Sequence, residues 1–386
     1  MTKPEIRNAT LLVRESLFKR YENLTVLSIF ASFVVIVVVV QLITTGGSRF
    51  PTFISPVNIV NILQQVAVPG IVAISMTMVM VSGGIDLSVG MLASLVSIIV
   101  ALGISQWHLG VGSSVLLGVT SAIVLETAMG FIISRTRIEP FIITLGGMIS
   151  FQGIALLLSN SREVVMKGEL DFLTTNLVEG ARDPVTGLIL RVPPYVVAFF
   201  VIALIGGLLL TYTKYGRRIY AVGTNPRAAF LAGIDVRTMR LSVYMIQGLL
   251  VGIGATMLLA RINTGIITLG QGLEIDTIAM VVIGGTALSG GKGNIVGTLI
   301  GVFFLGSIAN AMNLLRLPSE VQFLAKGLVV IIAVSAGDVS SQISDFRGLR
   351  REQAKARVAA AAAKKGGPQD QGGVHADRQD GSGVKS

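Results

Sequence analysis

Gly83-Gly84-Ile85-Asp86-Leu87-Ser88-Val89-Gly90 sets an acid and a glycine pair between two long apolar runs, Ile59–Val81 and Met91–Ile104. A carboxylate at the middle of a bilayer costs ~3 kcal/mol even on the lenient insertion scale. Glycines that break a helix there leave backbone groups that lipid cannot satisfy. The octapeptide must therefore face protein or a polar cavity, or lie at a membrane surface. Each placement points to a machine that moves something across a membrane.

Working outward, the rest of the chain agrees. Of 386 residues, 52% are hydrophobic and 13% charged, and the mean hydropathy is +0.76. Soluble domains do not read this way; stacks of apolar spans do. At ~20 residues per crossing the sequence gives about ten spans, near 24–44, 58–81, 88–105, 112–134, 140–159, 193–213, 241–262, 274–290, 294–313 and 319–337. The fold class is thus an all-α membrane protein. Residues 1–23 form an interfacial N-terminal segment, 24–337 the transmembrane domain, and 338–386 a basic, low-complexity tail. A cleavable leader is not expected, because the polar start and the first apolar run are both long.

Charge sets the orientation. With Lys3, Arg7, Arg14, Lys19 and Arg20 cytoplasmic, Arg135 and Arg137, the 214–240 loop, Lys292 and the tail all fall inside. Both termini are then cytoplasmic, and the mixed-charge segment 160–192 is the longest outer loop. The net charge of +10 is accounted for by these loops, and no basic stripe interleaved with aromatics suggests nucleic acid. The chain has no cysteine and only two histidines, His108 and His375, so thiolate chemistry is excluded and metal ligation has no motif.

Gly83-Gly84-x-x-Leu87-Ser88-x-Gly90 is echoed by Gly284-Gly285-x-x-Leu288-Ser289-x-Gly291. Both copies end an inward-going span, which suggests two related halves in the same orientation. Asp86 admits two readings. It is a structural or gating group capping the next span near Ser88 and Val89, or a proton or sodium site. The span assignment favours the first. It puts Asp86 near the inner end of its span, close to water, with no second intramembrane carboxylate nearby.

A second local signal lies in the basic 214–241 loop. Asn225 is a good N-cap, Pro226 suits the first helical position, Ala228, Ala229 and Leu231 favour helix, and Gly233 suits a left-handed stop. The product is a short, bounded helix carrying Phe230 and Leu231, either an ordinary surface helix or a docking element. Ser289-Gly290-Gly291-Lys292-Gly293 is not a phosphate loop, since Thr286 stands at the first glycine position and Gly293 where Ser/Thr would hold magnesium. Polar residues on apolar spans are candidates for a path: Asn61, Gln64, Gln65, Thr144, Gln152, Gln247, Asn310 and Asn313. Uncharged amides and hydroxyls suit a neutral, hydroxyl-rich permeant. Each is equally an interhelical hydrogen bond.

Several blocks together resemble the permease subunit of monosaccharide ABC importers of the ribose/xylose/arabinose type. They are Asn58-Ile59-Val60-Asn61-Ile62-Leu63-Gln64-Gln65, Ser82 to Gly90, the 223–234 loop from Gly223, and Gly284 to Gly293. The resemblance implies that the 225–233 helix is a coupling helix seated in a cytoplasmic ABC ATPase, which would hold ATP and Mg. It implies an extracytoplasmic sugar-binding protein, a second permease copy or paralogue, and a bacterial inner membrane. This chain would then carry no cofactor and catalyse nothing. Related permeases for nucleosides or branched-chain amino acids remain open. Ala232, where such permeases often have serine, and the long basic tail depart from the pattern.

Overall fold

A computed structural model describes residues 53–175, 177–182, 189–328 and 331. The expected first span, the N-terminal segment, the end of the last span and the basic tail lie outside them. Among the described residues the helices are α1 (Pro56–Val81), α2 (Val89–Ser105), α3 (Val111–Arg135), α4 (Pro140–Ser159), α5 (Pro194–Tyr212), α6 (Lys214–Thr224), α7 (Pro226–Leu231), α8 (Val236–Ile262), α9 (Leu273–Ile283) and α10 (Ile295–Leu314). Residues 319–328 are also helical. Six of these, α1, α3, α4, α5, α8 and α10, are long and apolar enough to cross a membrane.

Two classes of helix emerge from burial. In α1 and α8, 78% and 72% of the most apolar window is buried inside the protein, against 22% in α4 and 28% in α3. Helices α1 and α8 are core elements buried over most of their apolar length, whereas α3, α4 and α5 turn residues such as Leu116, Ile149, Leu157 and Leu204 outward, as lipid-facing helices do. Small residues set the closest approach. Gly248 and Gly252 of α8 lie against the α3 backbone at Ala122 and Val119, where a side chain would collide.

The segment between α4 and α5 is mostly non-helical, with one 3-10 turn at Asp171–Leu173. Short antiparallel pairs form there: β1 (Val164–Val165) with β4 (Thr264–Gly265), and β2 (Val178–Arg182) with β3 (Ile189–Val192). Small strands thus accompany a helical membrane fold.

The expected span 274–290 is corrected. Helix α9 has 11 residues and stops at Ile283. That is ~16 Å of helix, about half of a ~30 Å hydrocarbon core. Before α9 the chain is a two-residue strand followed by turns. After Asn263 the segment runs down along α2. Gly265 sits beside Ala101, the Gly270 N–H donates to Ser94 Oγ at 2.9 Å, and Glu274 lies over Gly90. Such backbone is tolerated inside a membrane only when protein covers it, and α2 does so. Glu274, in the first turn of α9, is 8% exposed, with Oε1 accepting the Gly272 N–H at 3.2 Å.

Candidate functional site

The octapeptide begins as a helix stop. Gly83 takes φ +86°, and the N–H groups of Gly83 and Gly84 bond back to Met80 O and Val79 O, closing α1 in a Schellman pattern. The second glycine motif does the same with a one-residue offset. Gly285 takes φ +87°, and Gly285 and Thr286 bond back to Val282 O and Val281 O. Gly83 is therefore matched by Gly285, not by Gly284. Beyond the stops the copies part. Ser88 leads directly into α2, whereas Ser289 is exposed in a turn closed by Gly290 and Gly291. The echo is a shared helix terminator.

Asp86 is not close to water; it is fully buried. Its Oδ1 accepts the Ser88 N–H at 2.8 Å and the Ser88 hydroxyl at 2.6 Å. It therefore tightens the turn into α2 through Ser88, and Val89 is not bonded to it. Nor does it lack a carboxylate neighbour: Ser88 Oγ also lies 3.0 Å from Glu126 Oε1, on the fully buried Glu126 of α3. Tyr244 and Gln247 of α8 are buried as well, and Asp86 Oδ2, Glu126 Oε2, Tyr244 Oη and both amide atoms of Gln247 have no hydrogen-bond partner. Thr144 of α4 closes the other side: its hydroxyl accepts the Leu87 N–H at 3.1 Å and reaches Ile85 O at 3.2 Å. One loop thus pins α2, α3 and α4 around two acids. Glu126 was legible as a lone acid within an apolar run, the same signal that singled out Asp86.

At its glycine end the same loop joins a backbone junction. The Gly291 N–H donates to Val81 O at 2.9 Å, and Gly223, in the last turn of α6, packs so closely on Val81 O that a Cβ would collide. A Cβ on Gly290 would come within 2.8 Å of Gly83 Cα. Three glycine segments far apart in sequence meet here: the end of α1, the α6–α7 corner and the α9–α10 turn. Helix α7 leaves this corner. Asn225 Oδ1 accepts the N–H groups of Arg227 and Ala228, each at 3.0 Å, Pro226 is the first helical residue, and Gly233 takes φ +81°. Ala229 is buried, while Phe230 and Leu231 are 69% and 81% exposed. Asp235 caps α8 in the same way, and its hydrogen bonds from the Thr238 hydroxyl and N–H hold its carboxyl below the usual aspartate range.

The path candidates do not form one face. Asn310 accepts from Asn58 Nδ2 at 2.9 Å, Asn313 accepts from Gln322 at 3.0 Å, and Gln64 donates to Arg191 O at 2.9 Å. These are tertiary hydrogen bonds. Thr144 bonds the backbone on either side of Asp86, Gln247 is buried in α8, and Asn61 and Gln152 are exposed on α1 and α4. Gln65 lines a cavity, of about 60 Å³, where α1, α9 and α10 meet Lys326. Asp276, in the first turn of α9, pairs with Lys326 Nζ at 2.9 Å.

A bundle of apolar helices, six of them long enough to cross a membrane, stopped at glycine turns and carrying a capped, exposed helix, is that of a multi-pass membrane protein. The family model described as the permease component of the branched-chain amino acid transport system matches residues 58–334, and the chain belongs to that family. It is 38% identical over 284 residues to the ribose import permease protein RbsC of Bacillus subtilis, covering 74% of this chain and 85% of that protein. It is 33% identical to the L-arabinose ABC transporter permease protein AraH of Azospirillum brasilense (78% and 85% covered) and 30% identical to the xylose transport system permease protein XylH of Escherichia coli (75% and 86% covered). No solved structure matches.

Proposed function

We propose that this chain is the membrane-spanning permease subunit of an ATP-driven importer that takes up a monosaccharide delivered by an extracytoplasmic binding protein. The observation that carries the reading is similarity to ribose, arabinose and xylose permeases over about three quarters of the chain. The family match names amino acids, but the sugar permeases just described match 74%, 78% and 75% of the chain. In this reading about ten helices cross the bacterial inner membrane with both termini cytoplasmic. A second copy or a paralogue completes the path. A cytoplasmic ABC ATPase binds ATP and Mg and receives α7, whose Phe230 and Leu231 supply the apolar knobs that such docking needs. This chain itself is non-catalytic.

Co-reconstitution with the ATPase and binding protein from neighbouring reading frames tests it: sugar uptake should require all three components and ATP. One observation favours a second reading. Asp86 and Glu126 meet at one hydroxyl, an arrangement that proton-coupled carriers use. Uptake by this chain alone, driven by a pH gradient, would establish that reading and sink the first.

A further inference from the structure

The one ion pair between described residues stands inside the membrane domain. Lys326 Nζ lies 2.9 Å from Asp276 Oδ2 and 3.2 Å from Oδ1. Gln65 is nine residues into α1 and Leu305 nine residues from the end of α10, so the cavity they share lies ~14 Å along each helix at 1.5 Å per residue. That is about half of the ~30 Å core. Charges at this depth are costly and mark a protein-lined or watered passage.

The pair is not sealed. The two side chains keep 32% and 31% of their surface, unlike the fully buried Asp86 and Glu126. Each retains unused hydrogen-bonding capacity: two further N–H groups on the ammonium and free lone pairs on the carboxylate. The α1 wall adds two more polar groups. One is the Gln65 amide. The other is the Gln65 backbone carbonyl, to which Pro69, four residues on, has no N–H to give. Met280 and Leu305 supply an apolar floor. The cavity holds about two waters, at ~30 Å³ each, too little for a sugar. It is one wall of a passage.

We propose that Asp276, Lys326 and Gln65 form a hydroxyl-binding station on the translocation path, where a neutral polyol passes by exchanging hydrogen bonds with a carboxylate, an ammonium and an amide. The station rests on the monosaccharide reading and deepens it. A net-neutral pair can grip vicinal hydroxyls, one donating to Asp276 and its neighbour accepting from Lys326, without drawing in ions. A structural staple between α9 and helix 319–328 makes a different demand: it needs opposite charges, in either order.

The test uses the full permease with its ATPase and binding protein in proteoliposomes, supplied with radiolabelled ribose, xylose or L-arabinose, with leucine as competitor. A wild-type assembly that takes up none of the sugars sinks the monosaccharide reading before any variant is made. Given uptake, Asp276→Asn, Lys326→Met and Gln65→Leu should each lower sugar moved per ATP hydrolysed tenfold or more. The exchanged pair Asp276→Lys with Lys326→Asp should recover melting temperature but not uptake. Recovery of uptake by the exchanged pair, unchanged uptake in Gln65→Leu at wild-type melting temperature, or competition by leucine would each overturn the station.

Discussion

Ser88 has one hydroxyl hydrogen and two carboxyl oxygens to serve, at 2.6 Å on Asp86 and 3.0 Å on Glu126. Two carboxylates sharing one buried site cannot both stay ionised. Asp86 also holds the Ser88 N–H, so it is the better supported anion, and Glu126 is left as the neutral acid. Glu126→Gln keeps the shape and the neutrality, and should cost less than ~1 kcal/mol, the scale of one ordinary hydrogen bond. Ser88→Ala strips a hydrogen bond from a buried carboxylate and should cost ~1.5–3 kcal/mol. At roughly 2–4 °C per kcal/mol for a domain of this size, Ser88→Ala should melt ~3–12 °C lower, and Glu126→Gln within a few degrees of wild type. Thermal unfolding of the purified permease in detergent, followed by size-exclusion of the remaining monodisperse fraction, reads both. Should Glu126→Gln fall as far as Ser88→Ala or further, the negative charge on Glu126 is required and the shared-proton argument fails.

Other consequences follow from the inner junction and the tertiary amides. Gly223→Ala drives a methyl into Val81 O and Gly291 N, an overpacking that costs ~1–3 kcal/mol, and should uncouple ATP hydrolysis from uptake in reconstituted vesicles. Asn225→Ala removes the cap of α7 at ~1 kcal/mol, visible as faster hydrogen exchange across 226–231. Phe230→Ala combined with Leu231→Ala should leave the melting temperature unchanged while abolishing co-purification of the ATPase, since both side chains are exposed. Asn310→Ala leaves Asn58 with only Phe53 O and should cost ~1–3 kcal/mol without changing KM for sugar, because Asn310 faces another helix.

What the sequence made legible was local. The α7 boundaries could be read because Asn225, Pro226 and Gly233 act on backbone within three or four residues of themselves. The helix stop at Gly83 was readable for the same reason. The partner of Asp86 was not, because Glu126 is 40 residues away and reaches it only once α3 packs against the turn. Helix α9 was misjudged for a related reason. The expected span 274–290 ran past the helix stop at Gly285, and residues 264–272 pass along α2 as a short strand and successive turns, a tertiary choice that hydropathy does not encode. Of the eight path candidates, Gln64, Thr144 and Asn310 proved to be partners of groups far away in sequence and Asn313 of nearby Gln322, since a polar side chain on an apolar helix announces that it needs a partner without naming it.

Helix α1 links the two ends of the proposed machine. Its C-terminal end bonds to Gly291 and abuts Gly223 beside α7, and Gln65, 16 residues earlier and ~24 Å away, lines the cavity with Lys326. A helix packed on nearly all sides moves as a body, so a push at the α7 corner reaches the Gln65 wall unless the helix yields between them. Pro69 is where it can yield, because no hydrogen bond from its nitrogen ties that turn to Gln65. Pro69→Ala supplies the missing N–H, regularises the turn and turns the Gln65 carbonyl back into the helix. The variant should melt higher than wild type, and sugar moved per ATP should fall because one acceptor leaves the passage. Both quantities come from the same preparations used for the ion-pair variants. A higher melting temperature with unchanged uptake would show that the proline serves only the packing of α1 against α9 and α10.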